Sequence, residues 1–280
     1  MVKTICVAGA GTMGSGIALV AARSEFNTLL FDLDPLVLEK AAISIQHGIQ
    51  QLADKQKITA EEGVIIFKRI QFISDVQQCI ADFFIEAIIE KADAKIGLFN
   101  QFANYNDEQA IFATNTSSLS VSTIQSEILH PERVIGMHFF NPAPIMKLVE
   151  VVSGKHTSAS TTEVVYELCK LMGKIPVLCN DAPGFIVNRV ARHYYLEAMK
   201  IVESGIATIE TVDALMEASG FKMGPFKLMD LIGMDVNLAV TKSIYNAFDN
   251  MERFAPSPLQ EEKVRNGELG RKSGKGFYTY

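Results

Sequence analysis

The chain has 280 residues, a formal net charge of −6, 48% hydrophobic residues and 21% charged residues. That composition excludes a disordered chain, which would bury too little apolar surface to offset its ordering entropy. The acidic balance argues against nucleic acid, which needs a basic face. Four cysteines without a C-x-x-C pair exclude a disulfide scaffold, and five histidines without H-x-x-x-H spacing make a metal centre unexpected. No apolar run reaches the roughly 18 residues that span a bilayer. With an apolar strand starting near Lys3 and no leader pattern ahead of it, a cytoplasmic protein is expected.

The first 180 residues alternate short apolar runs with helical periods, the pattern of βαβ units and a mostly parallel sheet. Thr4–Ala8 is a predicted buried strand, Thr12–Arg23 a helix and 28–31 a second strand. Residues 35–69 form a helical stretch too long for an ordinary crossover. It is predicted to be a hairpin turning near Ile58-Thr59, and a candidate binding arm. Strands are predicted over 82–87, 110–114, 134–138, 148–152 and 175–178, with a helix over 161–172. After Asp181-Ala182-Pro183-Gly184 only helical periods remain as far as Phe254. The expectation is an α/β domain over residues 1–184 and a smaller all-helical domain over 185–280. The second stretch carries twelve basic and twelve acidic residues, so the whole excess of −6 lies in the first. An anionic substrate would therefore need local lysines against an unfavourable field. Cys6, Cys79, Cys169 and Cys179 lie in or beside apolar segments and are read as buried free thiols.

Gly9-Ala10-Gly11-Thr12-Met13-Gly14 is a G-x-G-x-x-G that follows an apolar strand and opens a helix. The glycines permit a tight turn, close approach of backbone to a pyrophosphate, and close helix–strand packing. The helix N-terminus adds N–H donors and partial positive charge. The second strand ends in Asp32, whose carboxylate can accept from ribose hydroxyls and would repel a 2′-phosphate. The reading is a Rossmann-type domain that takes NAD rather than NADP.

His138 sits at the end of a predicted strand, where ligands bind in open α/β sheets. Its imidazole can move a proton in either direction near neutral pH, as oxidation of an alcohol by hydride transfer requires. Glu150 is a charge inside the apolar run Leu148-Val149-Glu150-Val151-Val152, costly unless paired. It is the candidate orienting partner of His138. By spacing alone the two read equally well as a core histidine and an edge-strand glutamate.

His138-Phe139-Phe140-Asn141-Pro142, with Met146 and Leu148-Val149-Glu150, resembles the signature of the L-3-hydroxyacyl-CoA dehydrogenases, closest to their bacterial 3-hydroxybutyryl-CoA subgroup. The resemblance runs over essentially the whole chain. It takes in Asn115-Thr116-Ser117-Ser118-Leu119, Pro183-Gly184-Phe185-Ile186-Val187-Asn188-Arg189, Met223-Gly224-Pro225-Phe226 and Gly274-Lys275-Gly276-Phe277-Tyr278.

The resemblance implies NAD-dependent interconversion of (S)-3-hydroxybutyryl-CoA and acetoacetyl-CoA. His138 would be the acid/base and Glu150 its partner. Ser117 and Asn188 would hydrogen-bond the substrate's 3-oxygen and the histidine, and Asn141 would help order the nicotinamide. Glu90 and Lys95 resemble positions near the cofactor's ribose, Lys55 one at the CoA phosphates, and Lys272 a C-terminal position near the cofactor. A homodimer through the helical domain is also implied.

From the residues alone, Ser117 reads also as a helix N-cap, Asn188 as solvent-facing and Lys55 as a solvated tip lysine. Met223-Gly224-Pro225-Phe226 reads as a helix-initiating turn. Two other functions stay open. One is a dehydrogenase of a free hydroxy acid or sugar acid, although in such relatives the motif tends to read H-P-F-N-P-P, and here Phe139 and Ala143 stand at those prolines. The other is a non-catalytic NAD(H)-binding sensor or structural protein.

Overall fold

The computed structural model describes residues 2–280, which divide into two compact units that part between Ala182 and Pro183. The first unit runs β1 (Thr4–Ala8), α1 (Thr12–Arg23), β2 (Asn27–Phe31), α2 (Pro35–Asp54), α3 (Ala60–Lys68), β3 (Ile70–Ile73) and β4 (Phe83–Glu86). It continues with α4 (Ala92–Tyr105), β5 (Ile111–Thr114), α5 (Val121–Gln125), β6 (Val134–Phe139), β7 (Leu148–Ser153), α6 (Ala159–Leu171) and β8 (Ile175–Asn180). The strands form one sheet in the order β3-β2-β1-β4-β5-β6-β7-β8. Every pair is parallel except β6 and β7.

Strand side chains alternate between two cores, as the period of two demands. Ile5, Val7, Leu30, Ile85, Met137 and Val149 pack with α1, α2, α3 and α6. Cys6, Leu29, Phe31, Phe84 and Phe112 pack on the other face with Phe99 and Phe102 of α4 and Ile124 of α5. There the Phe84 ring stacks on Phe102 and Phe112, with centroids 4.5 and 5.2 Å apart.

The helical arm turns between Asp54 and Ala60, where Thr59 caps α3 in a reciprocal pair with Glu62. The sequence pattern ended the arm at residue 69 and assigned no strand before 82, so β3 was not foreseen. It is four residues long and follows α3 after Arg69 alone, too short to carry a strand period of its own. Pairing with β2 makes it a strand. Cys6, Cys79 and Cys169 are buried free thiols; Cys179, on the edge strand β8, is half-buried.

The second unit is helical: α7 (Val187–Glu203), α8 (Ile209–Ala218), α9 (Pro225–Ile232), α10 (Met234–Ala247) and α11 (Pro258–Arg265). It ends in two isolated bridges, Gly270 to Lys275 and Lys275 to Thr279. Gly224 precedes Pro225 at the start of α9, where the buried Asp213 carboxylate accepts from the N–H groups of Phe226 and Lys227 at 2.9 and 3.0 Å. Asp230, also buried, accepts from Phe277 and Tyr278 N–H at 2.9 Å each and ties the C-terminal tail to α9. No helix among the described residues is long and apolar enough to cross a membrane.

Two glycines of the first loop test this packing. A Cβ on Gly14 would lie 1.6 Å from the Gly9 carbonyl oxygen, whereas one on Gly11 would meet nothing within 4 Å. Gly14→Ala is expected to lower unfolding stability by about 2 kcal/mol or more, since backbone must move. Gly11→Ala should cost under about 1 kcal/mol, the scale of an N-cap exchange. Thermal denaturation of the two variants measures the difference, and equal shifts would contradict it.

Candidate functional site

The strand order reverses between β1 and β4, and a ligand crevice opens at such a switch point beyond the strand ends. Here Gly9, at φ +94°, packs its α-carbon against the Ala87 carbonyl that follows β4; a Cβ would come within 2.7 Å of it. Gly11 is the N-cap of α1, with no side-chain cap and no acidic residue in the first turn. The N–H groups at this helix end are therefore capped by no side chain and carry the positive end of the helix dipole. Thr12 and Met13 begin the helix, exposed and half-buried.

Asp32, after β2, accepts from Ala10 N–H at 2.8 Å and from Asp34 N–H at 3.1 Å, which fixes its carboxylate beside the glycine loop. Gly9, Gly11 and Asp32 line a cavity of about 740 Å³ together with Ile88 and the exposed apolar residues Leu33 and Ile89. Open space over Gly11, an uncapped helix end, a fixed carboxylate and apolar walls fit a dinucleotide.

Beyond β4 and β5 lies a buried charge cluster. Lys95, 1% exposed, bridges Glu86 at 2.6 Å and Glu90 at 3.1 Å. Glu86 also accepts from Ile88 N–H and Thr114 Oγ1, each at 2.7 Å. One oxygen of Glu90 gathers Thr116 Oγ1 at 2.6 Å, Ser117 N–H at 2.9 Å and Ser118 Oγ at 3.1 Å. Burial raises the Glu86 pKa despite the ammonium beside it. Burial also pushes Glu90 upward, but Lys95 and the hydroxyl and amide donors outweigh it, and its pKa falls below the ordinary value. Lys95 therefore sits under Glu90 rather than at the surface, and Glu90 holds the loop that presents Ser117. Ser117 does not cap α5; Ser120 does.

His138 and Glu150 are direct partners in the antiparallel β6–β7 register. His138 Nδ1 lies 2.7 Å from Glu150 Oε2, with side-chain exposures of 8% and 1%. Phe140 packs its ring 4.5 Å from the imidazole. Asn115 Oδ1 accepts from Phe139 N–H at 2.8 Å and anchors the strand end that bears His138. The loop after it, with Asn141 exposed, is held by Lys174, whose ammonium donates to the carbonyls of Ala143 and Met146 at 2.5 and 2.9 Å. Burial, then repulsion from Arg23, lowers the Lys174 pKa to about 8.

The fold thus brings Gly9, Gly11, Gly14 and Asp32 together, Glu90 with Lys95 and Ser117, and His138 with Glu150. Lys55 stands exposed at the end of α2. Asn188, in the first turn of α7, and Lys272, paired with Asp235, belong to the second unit. The sequence reading missed Glu86, Asn115 as an anchor, and Lys174. Glu86 carried a usable signal: it is a charge ending an apolar strand, as Glu150 is a charge within one.

Lys95→Met would leave Glu86 buried without its ammonium. A loss of about 3 kcal/mol or more is expected in denaturant unfolding, the scale of a broken buried pair. An unchanged midpoint would contradict the assignment.

Comparison with known proteins gives the same picture. Residues 4–182 match the model of the 3-hydroxyacyl-CoA dehydrogenase NAD binding domain, and residues 184–280 that of the C-terminal domain. A 3-hydroxyadipyl-CoA dehydrogenase of Escherichia coli K12 is 48% identical over 281 residues. That match covers 100% of this chain but only 59% of the relative's length. A probable 3-hydroxybutyryl-CoA dehydrogenase of Bacillus subtilis is 39% identical over 281 residues, covering 100% of this chain and 98% of its own. The solved structure of an (S)-3-hydroxybutyryl-CoA dehydrogenase from Ralstonia eutropha superposes with a TM-score of 0.95 at 35% identity, covering 100% and 99% of the two chains. With both of its units matched by the family's two domains, this chain belongs to the 3-hydroxyacyl-CoA dehydrogenase family and carries that family's NAD-binding domain.

Proposed function

We propose that the chain interconverts short (S)-3-hydroxyacyl-CoA and 3-oxoacyl-CoA thioesters, (S)-3-hydroxybutyryl-CoA and acetoacetyl-CoA among them. The observation that carries this reading is the buried His138–Glu150 pair at 2.7 Å. NADH, when bound, supplies the hydride for C3. In reduction, protonated His138 gives its Nε2 proton to the 3-oxygen. Glu150 at Nδ1 orients the ring and stabilises its charged form. In oxidation neutral His138 takes the hydroxyl proton back. Ser117 and Asn188 donate to the 3-oxygen and stabilise the charge that develops on it. Glu90, backed by Lys95, positions the Ser117 loop and lies near the cofactor's ribose, and Asn141 helps order the nicotinamide. Asp32 receives the adenosine ribose hydroxyls, with Leu33 and Ile89 as apolar walls. Lys55 on the helical arm and Lys272 in the tail supply local positive charge, for the CoA phosphates and near the cofactor respectively.

A homodimer through the second unit is part of the proposal, as is a cytoplasmic location. Exposed Leu231, Ile232 and Val236 of α9 and α10 support a contact between copies.

The purified chain is expected to oxidise NADH with acetoacetyl-CoA. Acetoacetate should be turned over slowly if at all, as a dehydrogenase of free acids would not behave. NADPH should be at least about 100-fold poorer in kcat/KM, with Asp32 facing its 2′-phosphate. NADH binding without turnover of any thioester would favour a sensor instead. His138→Gln is expected to lower kcat by about 10³-fold, in the range of lost acid–base catalysis, while NADH affinity stays within about threefold by fluorescence titration. An equally active variant would remove the histidine from the mechanism.

A further inference from the structure

Arg192 faces the interior of the second unit from α7 and is 3% exposed. Among the described residues its guanidinium meets only neutral groups. Nη1 donates to the Asn237 carbonyl and to Thr241 Oγ1, each at 2.9 Å, and Nε donates to the Asn188 carbonyl at 3.3 Å. Its face stacks on the Tyr195 ring, 4.9 Å from the centroid. Nη2 makes no bond with the described residues. The side-chain amide of Asn237, 1% exposed, holds an orphan donor at Nδ2, and Gln260 beside it holds an orphan acceptor. Burial lowers the guanidinium pKa to about 10, and no carboxylate opposes the shift. At neutral pH the group is charged. A buried charge is costly without a counter-charge. By contrast, the other buried charges of this unit, Asp213 and Asp230, are saturated by backbone N–H groups.

We propose that Arg192 binds the terminal carboxylate of a dicarboxylyl-CoA substrate about six carbons long. The proposal rests on the dehydrogenase reading above, with Asn188 at the 3-oxygen. Asn188 and Arg192 are one helical turn apart, about 6 Å along the axis. The arginine leans back over that turn, as its bond to the Asn188 carbonyl requires. In a six-carbon diacid three bonds of about 1.5 Å separate C3 from the terminal carboxyl carbon, a reach of roughly 4 Å. A charge-assisted bond of about 2.8 Å then meets the guanidinium. A four-carbon diacid falls short of it. The Escherichia coli relative named 3-hydroxyadipyl-CoA dehydrogenase is named for a substrate of this class.

The test compares 3-oxoadipyl-CoA with 3-oxohexanoyl-CoA, which has the same carbon chain without the terminal charge, by NADH oxidation. The wild-type chain is expected to favour the diacid by about 30-fold or more in kcat/KM, since a site built around a polar group rejects the analogue that lacks it. In Arg192→Met the ratio should fall to within about threefold of one, and Arg192→Lys should keep an intermediate ratio. A wild-type ratio near or below one overturns the proposal without any variant, and so does a preference that survives Arg192→Met. If neither thioester nor acetoacetyl-CoA is turned over, the dehydrogenase reading itself fails, a result distinct from loss of the preference alone.

Discussion

A carboxylate at the centre of a buried strand is tolerable only where a partner meets it directly, and the arrangement of the first unit turns on that demand at Glu150. His138 answers it because β6 and β7 are the one antiparallel pair in the sheet. A parallel pair would need a crossover of a dozen residues or more. Here residues 140–147 alone reverse the chain, and Lys174 holds that short loop by two of its carbonyls. A slip of one residue would carry Glu150 to the face occupied by Val149 and Val151 and leave its charge in hydrocarbon. The His138–Glu150 contact and the apolar alternation therefore select the same register.

The polar residues of the site share one face of the sheet for the same reason. Ile85, Ala113, Met137 and Val149 face the core built with α1, α2, α3 and α6. Their neighbours Glu86, Thr114, His138 and Glu150 alternate to the other side. Toward the strand starts that face is closed by phenylalanines and α4. At the strand ends the apolar packing gives way to two polar clusters, Glu86–Lys95–Glu90 and His138–Glu150. The first spreads its charge over several donors, and the second sets Glu150 directly against His138 Nδ1, which is what permits burial. The first shapes the Ser117 loop; the second is the pair to which the proposed reaction assigns the proton. The first cluster contributes position, whereas the second contains an imidazole, the side chain suited to passing a proton.

The helical unit treats its charges differently. Asp213 and Asp230 are spent on structure: one caps α9 and the other fastens the tail. Gly224, Gly270 and Gly276 allow these contacts, since a Cβ on any of them would come within 2.6 Å of Asp213 or Asp230 or of the backbone beside them. The Met223-Gly224-Pro225-Phe226 motif is accounted for by this packing. Arg192 has no comparable saturation, which sets it apart from the structural charges around it.

The dinucleotide half was legible in the sequence because its physics is local. A strand, three glycines, a helix start and a terminal Asp32 lie within a single βαβ unit, and each residue's task follows from its neighbours in the chain. The helical arm and the Gly224-Pro225 turn were legible for the same reason, through periodicity and capping chemistry. β3 was not, because a four-residue segment with three apolar residues, directly after a helix, becomes a strand only by pairing with β2. The His138–Glu150 contact was named from a charge in an apolar run and from resemblance, but the twelve residues between them fix neither distance nor orientation; the antiparallel register does. The burial of Lys95 beneath two carboxylates and of Arg192 among neutral groups left no mark in local sequence. Those depend on which elements meet in space, and solvation and pairing of a charge are settled only there.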